Sequence, residues 1–84
     1  MFKEMKIEIN EQQPLEEVVV ELERLGYKKD LTHGKVWVLC HELGLYSIHS
    51  HDYDFGNLTT LTELRSMNIE ALKEMRDEFS GILL

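Results

Sequence analysis

Between Met5 and Leu25 the apolar residues change their spacing, and that change constrains the fold more than any other feature of the chain. Met5, Ile7 and Ile9 alternate with Lys6 and Glu8, the period of two that puts one side of a β-strand in a core. After the polar turn Asn10 to Gln13, residues Leu15, Val18, Val19, Leu22 and Leu25 recur as one stripe of a helix. Pro14 suits the first helical position, Glu16 and Glu17 complement the positive helix end, and Gly26 can take the left-handed conformation that stops a helix. Tyr27 is then expected to fold back toward Leu22. A strand followed directly by an amphipathic helix implies a sheet with a helix lying on it.

The rest of the chain extends that frame. The stretch "YKKDLTHGK" reads as a polar connection with His33 in a solvent-exposed loop, and "VWVLC" as a β-branched and aromatic strand. "HELG" supplies a turn and "LYSIHSH" a further strand, so the two runs form a hairpin. "DYDFGN" is rich in turn formers and is expected to end the sheet. "TLTE", Thr60 to Glu63, matches a capping box, which starts a helix near Leu61. Leu61, Leu64, Ala71, Leu72, Met75, Phe79 and Ile82 share one side of that helix if it is continuous, but Asn68 then falls in the apolar stripe. Burying an unpaired amide costs roughly 1–3 kcal/mol. A break between Ser66 and Asn68, with Asn68 capping a new helix from Ile69, avoids that cost. The tail "SGILL" is expected to dock on the core or on another chain. The segment "LTTLTELRSMNIEALKEMR" resembles the short helical tails of small bacterial or phage accessory proteins, a likeness that assigns no residue a role.

The expected fold is therefore one small α/β domain of the α+β type over residues 1–84. It is a two-layer sandwich in the order β-α-β-β-α, with a mixed three-stranded sheet and its helices on one face. The first strand, the helix and the "VWVLC" strand form a right-handed parallel crossover in this scheme. Such a sheet leaves two edges and one uncovered face, with Trp37 or Tyr46 as candidates to lie on it, and invites a homodimer.

Charge bounds the partners. Sixteen acidic residues against nine basic give a formal charge of −7, which disfavours direct nucleic-acid binding. Lys6, Arg24, Lys28, Lys29, Arg65, Lys73 and Arg76 are interspersed with the acids, so a DNA-mimicking face is not expected either. The favoured partner is another protein with a basic surface. No run approaches the ~20 apolar residues of a membrane span, and "MFKEMKIEIN" carries charges where a signal peptide has an apolar core. No membrane contact and a cytoplasmic location are expected. Cys40, the lone cysteine, excludes an internal disulfide and suits a reducing compartment.

One stretch gathers chemistry-bearing side chains: "LYSIHSHDYDFG", residues 45–56. His49 and His51, two apart, share one side of a strand if the strand runs through both. Cys40 or His41 joins them from across the hairpin: an even turn brings Cys40, an odd turn His41. With Asp52 or Asp54 this makes a possible zinc set. The favoured reading is blander: His49 and Ser47 on the solvent side, Tyr46 and Ile48 toward the helices, and no cofactor. A Cys40–His49 nucleophile pair would need a stabilised thiolate and an oxyanion pocket, for which no pattern exists. The five glycines fall at element ends and make no phosphate loop. Trp37, Tyr46, Tyr53 and Phe55 are the candidate partner-binding aromatics, with core burial the favoured reading for Trp37. Met67 and Met75, with Leu64 and Leu72, are expected to be core. Together these features suggest a non-catalytic protein-binding module, a regulator, inhibitor or assembly factor; the alternative is a zinc-type metal-binding protein, a hydrolase among the options, using the His/Cys cluster around the hairpin.

Overall fold

A computed structural model describes residues 2–68. These form a mixed α+β domain with elements β1 (Met5–Glu8), α1 (Leu15–Arg24), β2 (Lys28–His33), β3 (Trp37–His41), β4 (Leu45–His49), β5 (Asn57–Leu58) and α2 (Leu61–Ser66). The five strands make one mixed sheet in the order β2-β4-β3-β1-β5. Among the described residues no helix is long and apolar enough to cross a membrane.

The sheet corrects the expected topology in three places. The "VWVLC" strand lies antiparallel to β1, with Ile7 opposite Val38, so the parallel crossover between them does not exist. The segment taken as a polar connection is β2, an edge strand parallel to β4, and it carries His33 as an exposed strand residue. "DYDFGN" does not end the sheet: Asn57 and Leu58 pair parallel with Met5 and Lys6. Polar β2 and two-residue β5 both sit at edges, where a strand needs no apolar face of its own, which is why periodicity missed them.

Alternation along the central strands sets the two layers. Met5, Ile7, Val38, Cys40, Tyr46 and Ile48 face the helices and are buried with Val18, Leu22 and Leu25 of the α1 stripe and with Leu61 and Leu64 of α2. Tyr46, a candidate for the uncovered face, is therefore a core residue. Trp37, expected in the core, is half-buried outside that cluster. Met67 packs partly buried against the core, while Ala71, Leu72, Met75, Phe79, Ile82, the helix expected from Ile69 and the "SGILL" tail lie outside the described residues.

The helix ends follow their local chemistry. Pro14 sits one residue earlier than expected, at the N-cap in extended conformation, and its carbonyl accepts the Val18 amide at 3.1 Å. At the other end Gly26 takes φ +98°, the Gly26 amide donates to Glu23 O and the Tyr27 amide to Leu22 O, each at 3.0 Å. This paired closure satisfies two orphan carbonyls, and Tyr27 is buried next to Phe2, with ring centroids 4.8 Å apart. In α2 the Thr60 hydroxyl oxygen accepts the Glu63 amide at 3.1 Å, the cap that "TLTE" implies. The helix stops at Ser66, and Arg24 Nη2 donates to the carbonyls of Leu64 and Met67, each at 3.0 Å, tying the end of α1 to the end of α2. Gln13 bridges the layers, donating to Glu8 O at 2.7 Å and accepting the Leu61 amide at 2.8 Å.

Two substitutions test this packing. Leu22→Ala should cost about 2–5 kcal/mol in denaturant unfolding, because Leu22 is fully buried between helix and sheet. Gly26→Ala should cost about 1–2 kcal/mol, since a side chain at positive φ is strained and its Cβ would press on the Phe2 ring at 3.3 Å. A loss below that of an exposed control such as Val20→Ala would show that neither position supports the core as described.

Candidate binding face

Both helices pack on one side of the sheet, and among the described residues no helix covers its other side. The register places Glu8, Trp37 and His49 in one row across that open face, Lys6, Leu39 and Ser47 in the next, and His41 with Leu45 in a third. The β3–β4 turn is three residues long, Glu42 to Gly44, and Gly44 takes the positive φ of +85° that such a turn requires. An odd turn brings His41, not Cys40, to the side of His49.

Residues 50–56 leave β4 and fold back over this face as a strap. Lys6 Nζ donates to Asp52 Oδ1 at 2.8 Å and to the Tyr53 carbonyl at 3.4 Å, and lies 5.4 Å from the centre of the Trp37 ring. Tyr53 meets His49 edge-on with centroids 5.2 Å apart, and Phe55 stacks on His41 at 6.2 Å. His33 of β2 lies beside His49 at 6.1 Å. The Leu43 amide donates to His41 Nδ1 at 3.1 Å, which places the proton of the neutral ring on Nε2. Between strap and sheet runs a shallow groove of about 350 Å³ with Leu39, Leu45 and Ser47 on its floor. His41, Leu43, Phe55, His49 and Asp30 form its rim.

The expected site residues thus divide. Trp37, His41, His49, Asp52, Tyr53 and Phe55 belong to the open face and its strap. β4 ends at His49, so His51 lies in the exposed bend beyond it and loses the strand geometry that would pair it with His49. Cys40 and Tyr46 point to the opposite side, into the core. Among the described residues no three His, Cys, Asp or Glu side chains converge as a metal site. Periodicity gave no sign of Lys6, Leu39 or Leu45, whose contribution comes from strand order and from the strap.

The buried groups are chemically quiet. Burial pushes the Cys40 thiol up to about 12, the reverse of what a nucleophile needs. Tyr46 is pushed up to about 12 by burial and by its hydrogen bond to Glu23, to which its hydroxyl donates at 2.9 Å. Tyr27 rises further still, through burial and the neighbouring Cys40. Ser47, His49 and Asp30 share the groove, yet among the described residues no hydrogen bond joins them; Ser47 Oγ instead accepts the Leu31 amide at 3.5 Å. A serine nucleophile needs its base within hydrogen-bond reach.

The chain matches no protein-family model, no curated protein sequence and no solved structure.

Two measurements check these assignments. Cys40 should resist iodoacetamide at mildly alkaline pH in the native protein and react on addition of denaturant; rapid native alkylation would contradict its burial. For Cys40 and Tyr46 the folded-state values lie above the unfolded 9.0 and 10.0, so the fold favours their protonated forms. Their contribution is complete below those unfolded values and is lost as pH rises toward about 12. The melting temperature should fall across that alkaline window, and less in a Tyr46→Phe variant than in the wild type.

Proposed function

We propose that this chain is a small non-catalytic protein-binding module, acting as a regulator, inhibitor or assembly factor, and that its binding surface is the open face of the sheet. The observation that carries the reading is the groove of about 350 Å³ between the strap and β3–β4. Its floor is a pair of leucines, its rim holds Phe55 and two histidines, and Leu43 stands 72% exposed at one end. Apolar side chains surrounded by polar ones are the usual composition of an interface centre. Phe55 supplies a rigid aromatic wall, and Trp37 offers a second anchor in the row beyond. The net charge of −7 favours a partner with a basic surface, through faster encounter more than through tighter holding.

The reading is tested by affinity capture from the native cell extract with wild-type protein and with Leu45→Glu, which sets a charge on the groove floor. A specific partner should be retained by the wild type and weakened about ten-fold or more by the variant, the scale of a disrupted hot spot. Circular dichroism and melting temperature should stay unchanged, because Leu45 lies outside the core cluster. Equal retention by both proteins would move the interface off this face. Self-association in place of a foreign partner would appear directly as a dimeric mass in sedimentation.

A further inference from the structure

We infer that the outer edge of β2 accepts an extended acidic peptide segment, which adds to the sheet as a further strand. This rests on the protein-binding reading but uses the outer edge of β2, a strand that meets the groove only through Asp30. β2 stands at one end of the strand order, so β4 pairs with one of its sides; among the described residues no strand pairs with the other, and all six β2 residues are exposed. An edge of this kind presents a row of amides and carbonyls to any strand that comes alongside. The far edge, β5, is only two residues long and offers no comparable template.

The charge on this edge selects what can pair with it. In a chain of net charge −7, the stretch from Lys28 to Lys35 holds three lysines against a single aspartate, Asp30. Lys28 is in register with Leu45 and so belongs to the open face, whereas Lys29 is in register with Tyr46 and belongs to the helix side. Acidic side chains on either face of an added strand therefore meet a lysine. Edge lysines normally guard against sheet-to-sheet stacking. Here they do so by sign, since a second copy of β2 brings like charge and an acidic strand brings the opposite. At physiological salt, charges farther away than the screening length of ~8 Å count for little, and Lys28 and Lys29 are carried on the edge strand itself. The register shift between Lys29 and Thr32 bends the edge and restricts pairing to a short segment.

The test uses the full chain, labelled for NMR, and two capped octapeptides that alternate valine with glutamate or valine with lysine. The glutamate peptide should bind saturably, shift the amides of Lys28–His33 most, and bind about ten-fold tighter than the lysine peptide at low salt, with the difference shrinking as salt is raised. A Lys28→Glu/Lys29→Glu variant, with an unchanged melting temperature, should reverse that preference. Leu39→Glu, in the groove but on β3, two strands away from β2, should leave glutamate-peptide binding intact, which separates this edge from the groove. Equal binding of the two peptides overturns the inference, as does a shift pattern centred on Leu39, Leu45 and Phe55. Dimerisation through β2 without peptide overturns it as well, by making a second copy the occupant.

Discussion

The contact on which the rest of the structure depends is the seat of the α1 stripe on alternate residues of the three central strands. Val18 and Leu22 are fully buried against a sheet surface that includes Met5, Ile7, Val38 and Cys40. Side chains alternate strictly along a strand, so choosing the residues that meet the helix also chooses the residues that cannot. The open face, with Lys6, Trp37, Leu39, His41, Leu45, Ser47 and His49, is the complement of the core. Its composition is a consequence of the fold before it is a property of any site.

The strap adds a second level of order to that face. Lys6 does three things with one ammonium group: it pairs with Asp52, donates to the Tyr53 carbonyl and lies beside the Trp37 ring. The Asp52 partner is half exposed, so the ion pair by itself contributes little. Its effect is geometric. By fixing the middle of the strap it leaves Tyr53 and Phe55 against His49 and His41, and of these two rings Phe55 lines the groove. The groove is thus built by residues of the hairpin, the strap and, through Asp30, β2, while Lys6 of β1 holds the strap in place.

Much of the fold was legible because its main elements announce themselves through period and punctuation. The α1 stripe, its closure at Gly26 and Tyr27, the hairpin and the Thr60 cap all follow from local rules, and all are present. What local rules do not carry is which strands become neighbours. β1 pairs with β3 antiparallel, where a crossover would have made the pair parallel, because the chain inserts β2 at the far edge between α1 and β3. The polar "KKDLTH" has no apolar side to read, since an edge strand can be held by backbone bonds alone. The site was half legible for the same reason. Alternation correctly set His49 and Ser47 apart from Tyr46 and Ile48, but the place of His51 depends on where β4 ends, and neither residue type nor spacing encodes that end.

The three-residue turn between β3 and β4 has a consequence for how such a chain can change over time. It closes on a register with His41 opposite Leu45 and buried Cys40 opposite Tyr46. A slip by one position would turn the core residues of one strand outward and its surface residues inward, so the buried side holds the register and the turn has only to span it. Residues gained or lost in the turn are taken up as loop. The exposed chemistry is therefore inherited through the buried positions beneath it, and the turn is the part of the hairpin that lineages are free to vary.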